Sequence, residues 1–211
     1  MTNGHKWFAA IYDRMMAAEE KGHLKDARSH IVGGARGRVL EVRAGTGANF
    51  PYYEASDART VVATEPDPYM LARARRRLEE LRLPIELQQA PAEGLPFADD
   101  SFDTVVSTLV MCTVGDLEEA LREVRRVLKP GGEFRFFEHV RSISSLGAFF
   151  QDVATPAWRW LGAGFHPNRD VTAAIEGAGF QIRELRRQYP VPNIPPLSLA
   201  RPHILGVGLA N

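Results

Sequence analysis

The chain has 211 residues, 45% of them hydrophobic and 25% charged, which suits a single globular domain, residues 1–211, with a sizeable core. Lysine plus arginine and aspartate plus glutamate both number 26, so the formal charge is zero and no basic surplus points to a nucleic-acid partner. The single cysteine, Cys112, precludes an intramolecular disulfide, and no Cys/His metal spacing, membrane span of about 18 apolar residues or signal-peptide core is found, so a cytoplasmic protein is expected.

Residues 1–30 read as helical. Trp7, Phe8, Ile11, Tyr12, Met15 and Met16 recur at helical spacing and make one apolar face. Residues 21–30 continue as a polar helix, and Gly33, Gly34 and Gly37 break it. Residues 1–35 are therefore expected as a helical cap. Val39, Leu40 and Val42 then form a short strand with Glu41 inside its end, and the strand runs into Gly45-Thr46-Gly47. Glycine permits positive φ and lets a ligand approach the backbone without meeting a Cβ. A strand ending in such a turn commonly meets a nucleotide-like ligand in an open α/β sheet. An ordinary βα turn has the same appearance, because short glycine motifs match by chance.

The next strand is predicted over 60–65. It ends at Glu65, about 20 residues beyond the glycine turn, where a carboxylate can accept from both hydroxyls of a ribose. The loop itself lacks a pyrophosphate pattern. Ala48, Asn49 and Phe50 follow Gly47 with no third glycine at the needed spacing, and no Walker lysine follows. A nucleoside without phosphates fits better than a dinucleotide or a triphosphate.

Pro66-Asp67-Pro68 is a turn and helix start, since proline is accepted in a first helical turn. The helix over 69–81 turns Met70, Leu71, Ala74, Leu78 and Leu81 inward. Its Arg73, Arg75, Arg76 and Arg77 make a solvated face balanced by Glu79 and Glu80. A third strand over 84–89 leads to a turn carrying Ala92 and Glu93. A fourth, over 103–107, is rich in β-branched residues and suits a sheet centre. Its end, Thr108, Leu109, Val110 and Met111, lies where open α/β sheets bind ligands. Cys112 in this apolar stretch is expected to be buried.

Residues 116–128 form an amphipathic helix with Asp116 as its cap, stopped sharply by Lys129-Pro130-Gly131-Gly132. The fifth strand, 133–138, delivers His139 to a strand carboxyl end. Histidine titrates near neutrality, so His139 is the first candidate for substrate contact or proton removal, with a hydrogen-bonded structural role as the alternative. Residues 142–170 carry Phe149, Phe150, Trp158, Trp160 and Phe165, a composition shared by cores and by lids over apolar ligands. We expect a substrate lid. Asn168 or Asp170 caps a helix over 171–178. A strand over 181–185, a proline-rich extended segment over 189–202 and a last strand over 203–209 complete the chain.

Three stretches carry a resemblance. Glu41-Val42-Arg43-Ala44-Gly45-Thr46-Gly47 resembles motif I, E/D-x-G-x-G-x-G, of the class I S-adenosylmethionine-dependent methyltransferases. Residues 92–103, A-E-G-L-P-F-A-D-D-S-F-D, resemble that superfamily's A-E-x-L-P-F-x-D-x-S-F-D stretch. Residues 121–132, L-R-E-V-R-R-V-L-K-P-G-G, resemble its L-x-E-x-x-R-V-L-K-P-G-G helix and turn. The resemblance implies an α/β, doubly wound, Rossmann-like fold: a seven-stranded mixed sheet with an antiparallel last strand and helices on both faces. It implies S-adenosyl-L-methionine as cofactor and S-adenosyl-L-homocysteine as product. Motif I supplies Glu41, Arg43, Ala44, Gly45, Thr46, Gly47 and Asn49 as cofactor residues. Glu65, Pro66 and Met70 follow at the second strand, Ala92 and Glu93 flank the adenine, and Thr108, Leu109 and Val110 face the methionine end. Tyr12 reaches the cofactor carboxylate or the substrate.

Short matches at 109–114 (L-V-M-C-T-V), Glu138-His139-Val140, Asn168-Arg169-Asp170 and Arg201-Pro202-His203 resemble a branch that includes alkyl-thiol methyltransferases. They imply methyl transfer to a small apolar acceptor, a thiol first, with amines, quinones and phenols left open. Substrate candidates are Trp7, Phe8, His139, Phe165, His166 and Asn168. Transfer is expected as an in-line displacement at the methyl carbon, with a thiol reacting as thiolate. One position departs from the pattern. Arg43 stands where motif I has its first glycine, adding bulk and charge. It either points away, pairs with the cofactor carboxylate or Glu41, or closes the site and leaves a non-catalytic binding module. The sequence does not decide an oligomeric state.

Overall fold

Seven strands lie in the order β3-β2-β1-β4-β5-β7-β6. The computed structural model describes residues 23–161, 164–188 and 197–211. Helix α1 (His23–Gly33) leads into β1 (Arg36–Glu41), followed by a 3-10 turn (Phe50–Ala55) and β2 (Asp57–Thr64). Then come α2 (Pro68–Leu81), β3 (Ile85–Gln88), β4 (Phe102–Thr108), α3 (Leu117–Val127) and β5 (Leu128–His139). The chain continues through α4 (Ser145–Leu161), α5 (Val171–Gly177), β6 (Phe180–Gln188), a second 3-10 turn (Leu197–Ala200) and β7 (His203–Ala210). Strands β1 to β5 pair in parallel, and β7 runs antiparallel between β5 and β6. This is the expected doubly wound mixed sheet. The order reverses between β1 and β4, so the crevice at their carboxyl ends is the topological switch point.

Both faces of the sheet are buried, so successive residues of a central strand must both be apolar. Val105 of β4 joins Leu40, Leu121, Val124, Phe134 and Ile175 on the face covered by α3 and α5. Val106, its neighbour, joins Leu24, Ile31, Val39, Phe50, Ala74 and Phe137 on the face covered by α1 and α2. Helix starts follow the expected capping chemistry. Asp67 Oδ1 accepts from the Tyr69 and Met70 N–H groups at 2.8 and 3.2 Å, and Asp116 Oδ1 from the Glu119 N–H at 3.0 Å. Asp170, rather than Asn168, caps α5 through the Ala173 N–H at 3.0 Å.

Several boundaries differ from those expected: β1 starts at Arg36 rather than Val39, and α4 forms inside the segment expected as a lid. The fifth strand starts at Leu128, not after the glycines, because Leu128 already has extended backbone (φ −78°, ψ 135°) and pairs with Phe102. The ladder then shifts register between Phe102 and Thr104, with Gly131 at φ 74° absorbing the irregularity. Strand β2 begins at Asp57, paired to Arg36, and β6 runs on to Gln188, paired to His203.

One buried cation fixes α1 against the sheet. Arg135 Nε donates to the Ile31 carbonyl at 2.7 Å and its Nη2 to the His30 carbonyl at 3.1 Å, filling acceptors that the end of α1 leaves open. Its Nη1 donates to Glu133 at 2.8 Å, and Glu133 also accepts from Arg36 at 2.8 Å. Removing Arg135 leaves a buried carboxylate with only a surface partner and takes a charged donor from two carbonyls at the end of α1. Arg135→Met is expected to lower unfolding free energy by about 3 kcal/mol in urea titration. A loss under about 1 kcal/mol, the worth of an exposed ion pair, would refute this role.

Candidate functional site

The strand carboxyl ends are tied together by buried carboxyl groups. Glu41, at the end of β1, is 2% exposed. Its Oε1 accepts from Asn49 Nδ2 at 3.0 Å, and the same nitrogen donates to Thr108 Oγ1 of β4 at 3.1 Å. Asn49 Oδ1 in turn accepts from Arg28 Nη1 of α1 at 2.6 Å. One asparagine therefore joins α1, β1 and β4. Burial pushes the Glu41 carboxyl up to about 7, against the opposing pull of Tyr53, Asn49 and Arg28.

The turn between β1 and the first 3-10 segment has left-handed backbone at Arg43 (φ 50°), Gly45 (φ 61°) and Gly47 (φ 80°). A Cβ on Gly47 would fall 2.2 Å from the Phe50 ring, so the glycine is needed for packing. A Cβ on Gly45 would meet nothing within 4 Å: that backbone faces open space. The Gly45 N–H donates to Glu65 Oε2 at 2.9 Å, and the Asp67 N–H donates to Glu65 Oε1 at 2.9 Å. Glu65 is buried, which raises its pKa, and the Asp67 N–H and the Arg43 charge partly offset that. Arg28, Glu41, Arg43, Ala44, Gly45, Thr46, Asn49, Thr108 and Leu109 line one cleft here.

The other expected site residues are not among those that line this cleft. Gly47 supports it through Phe50, Pro66 accepts from Gln89 Nε2 at 3.0 Å, and Met70 is buried under α2. Ala92 is buried in the core, and Glu93 Oε1 accepts from the Gly115 N–H at 2.7 Å, so its carboxyl braces the turn after β4. Val110 is buried and its N–H is held by Glu138. Tyr12, Trp7 and Phe8 lie outside the described residues.

A second cavity, of about 510 Å³, is lined by Thr113, Val114, Gly115, Pro156, Arg159, Gly164 and His166. Four of these seven belong to the expected lid. Within it the aromatics divide: Phe149 and Phe150 of α4 are 59% and 49% exposed, while Phe165 is 8% exposed and packs edge-on to Trp158. His166 holds the loop to the turn after β4 by donating its backbone N–H to the Cys112 carbonyl at 2.8 Å. Burial lowers its imidazole pKa. His139 stands one ring further back, 4.9 Å from Phe165 and 3.9 Å from His203 between ring centres. Its Nδ1 is 2.8 Å from the Ala200 carbonyl. A carbonyl only accepts, so Nδ1 carries the proton and the neutral ring keeps its lone pair on Nε2. Burial and the His203 ring hold the His139 pKa well below the ordinary value. Asn168 is drawn into a brace, donating from Nδ2 to Asp152 of α4 at 2.9 Å.

Three organising residues lie in stretches that the sequence marks only by resemblance or by their place at a strand end, without a bonding role. Glu138 Oε1 accepts from Ser107 Oγ at 2.5 Å and the Val110 N–H at 3.1 Å, and its Oε2 from the Met111 N–H at 3.0 Å. These bonds hold the turn in which Leu109 has φ 59°. Arg169 Nη1 donates to the Met111 carbonyl at 2.7 Å from the far side of the same turn. Thr113 Oγ1 accepts from Arg43 Nη1 at 3.3 Å. The one available signal was a carboxyl embedded in the apolar run Phe136-Phe137-Glu138.

Residues 40–136 match the methyltransferase domain family. The chain is 35% identical to the thiol S-methyltransferase TMT1A of Homo sapiens over 203 residues, 94% of this chain and 81% of that protein. The protein belongs to the class I S-adenosylmethionine-dependent methyltransferases. It is 38% identical to human thiol S-methyltransferase TMT1B over 182 residues, 82% of this chain and 71% of that protein. A chain of the complex between the Haloferax volcanii methyltransferase activator Trm112 and a methyltransferase superposes with a TM-score of 0.73 at 20% identity, covering 97% and 96% of the two chains. That likeness supports the fold. The methyltransferase is thus an S-adenosylmethionine-dependent enzyme close to the thiol methyltransferase branch. No helix among its described residues is long and apolar enough to cross a membrane.

Burial raises the Glu138 carboxyl well above the ordinary carboxylate range, to about 7. A raised folded-state pKa stabilises fully below the unfolded value, and this contribution is lost as pH rises through about 7. Glu138→Gln puts a donor where a second acceptor is required. It is expected to cost about 1–3 kcal/mol at acidic pH by urea unfolding. The deficit against wild type should shrink as pH rises through about 7. A deficit that grows with pH would overturn the assignment.

Proposed function

We propose that this methyltransferase methylates a small apolar thiol, with the cofactor in the glycine-turn cleft and the acceptor in the adjoining cavity. The observation that carries this reading is the adjacency of the two spaces: Arg43 lines the first, Thr113 lines the second, and their side chains touch. The thiol preference is supported by the similarity to the thiol S-methyltransferases TMT1A and TMT1B.

The residues present suit the cofactor. Gly45 offers an open backbone face, a cradle that any Cβ would fill. Glu65 keeps lone pairs beyond its two backbone bonds, and its position at the end of β2 suits a pair of ribose hydroxyls. When bound, S-adenosylmethionine supplies an electrophilic methyl group. The chain's own task is to admit the acceptor, exclude water and take up its proton. Segment 142–170 serves as the acceptor wall through Pro156, Arg159, Gly164 and His166.

A thiol reacts as thiolate, so its proton must leave. His166 lines the cavity and burial favours its neutral form, so it is the nearer base. His139 presents a lone pair at Nε2 but stands behind Phe165. We therefore assign proton removal to His166 and a supporting position to His139.

The assay is S-adenosylhomocysteine formation with panels of alkyl thiols, amines and phenols. Turnover is expected with thiols, and an amine or phenol preference would refute the acceptor assignment. At pH 7, His166→Asn should lower kcat/KM for an alkyl thiol about 100-fold, and more than His139→Asn does. The deficit should narrow as pH approaches the thiol's own pKa, because the base is then dispensable.

A further inference from the structure

Arg43 replaces a motif glycine yet keeps a glycine-like backbone, with φ 50°. Side chains are disfavoured there because the Cβ crowds the carbonyl oxygen. Its guanidinium reaches across from the end of β1 to the turn after β4, where Nη1 donates to Thr113 Oγ1 at 3.3 Å. Thr113 is set to receive it. Its own hydroxyl proton goes to the Val110 carbonyl at 2.9 Å, which turns a lone pair towards Arg43. The backbone N–H of Arg43 donates to Thr64 Oγ1 at 3.4 Å, so the root of the side chain is anchored at the end of β2. The guanidinium also lies within electrostatic reach of Glu65. The same arginine therefore touches the wall of one cavity and the charge of the other.

We propose that Arg43 is a latch between the cofactor cleft and the acceptor cavity, closed by its bond to Thr113, and that cofactor binding requires its release. Glu65 then gains a ribose in place of its interaction with the arginine charge. Opening also joins the two cavities, so the residue controls both access of the cofactor and contact between cofactor and acceptor. The inference rests on the cleft being the cofactor site and not on the identity of the acceptor.

The test is calorimetric titration of the full chain with S-adenosylhomocysteine, which needs no turnover. Thr113→Val removes the latch acceptor and leaves the backbone of the glycine turn untouched. It should tighten binding roughly threefold to tenfold, the worth of one released hydrogen bond. Arg43→Gly should tighten it at least as much. Both variants and the wild type are expected to unfold cooperatively on heating. If Arg43→Gly weakens binding while Thr113→Val changes nothing, the arginine holds the cofactor and the latch is wrong. Unchanged affinity in both variants also overturns it. Glu65→Ala separates the two levels: weakened binding supports the cleft assignment independently of the latch. Unaltered binding there removes the cleft assignment and the latch with it.

Discussion

Parallel strands end with peptide groups that no neighbouring strand can satisfy, and a site built on those ends must pair them without water. Here buried glutamates meet that requirement. Glu41 takes Asn49, Glu65 takes the N–H groups of Gly45 and Asp67, and Glu138 takes Ser107 with the N–H groups of Val110 and Met111. Glu65 and Glu138 each fix a turn whose backbone would otherwise lose buried donors, and Glu41 holds the Asn49 side chain that bridges to Thr108. The cost is visible in the chemistry of the acids: burial raises all three, two of them to about 7. Near neutral pH Glu41 and Glu138 therefore divide between charged and protonated forms.

The network reaches the back of the molecule through α1. Arg135 seats the end of that helix on β5. Arg28, on the same helix, then reaches Asn49, which holds Glu41 and Thr108. A chain of buried polar contacts thus connects the core packing of α1 with the junction of β1 and β4. In a close-packed interior such contacts leave little room for adjustment. The left-handed turns at Arg43 and Leu109 persist because these surroundings over-determine them.

Much of this was legible in the sequence where the signal was local. Periodicity located α2 and α3 but not α4, which was expected only as a lid; β-branched runs located the central strands, and Asp67, Asp116 and Asp170 sit where caps are needed. Motif resemblance supplied the topology that periodicity alone cannot. What stayed hidden was non-local. The direction of Arg43 depends on Thr113, and the role of Glu138 depends on a turn 28 residues away at Val110. Leu128 was read as the last residue of a helix because its burial suits either element; only pairing with Phe102 makes it a strand. The aromatic segment was ambiguous for a related reason. Composition does not say which face a side chain occupies, and Phe149 and Phe165, similar in the sequence, end on opposite sides of that distinction.

The two histidines at the end of the β5–β7 pair complete the electrostatic picture. His139 and His203 are register partners, and each presents Nδ1 to a backbone carbonyl, Ala200 at 2.8 Å and Arg201 at 2.9 Å. Each carbonyl dictates the tautomer, and burial keeps both rings neutral, with His203 lowered to about 4. Two imidazolium charges at 3.9 Å between ring centres would repel each other strongly in so enclosed a setting. Fixed cations stand in both walls, Arg28 and Arg43 at the glycine-turn cleft and Arg159 at the second cavity, while the ring behind Phe165 stays neutral. Held neutral with its Nδ1 proton on a carbonyl, His139 packs against Phe165 as an uncharged support, and His166 is the imidazole that lines the cavity itself.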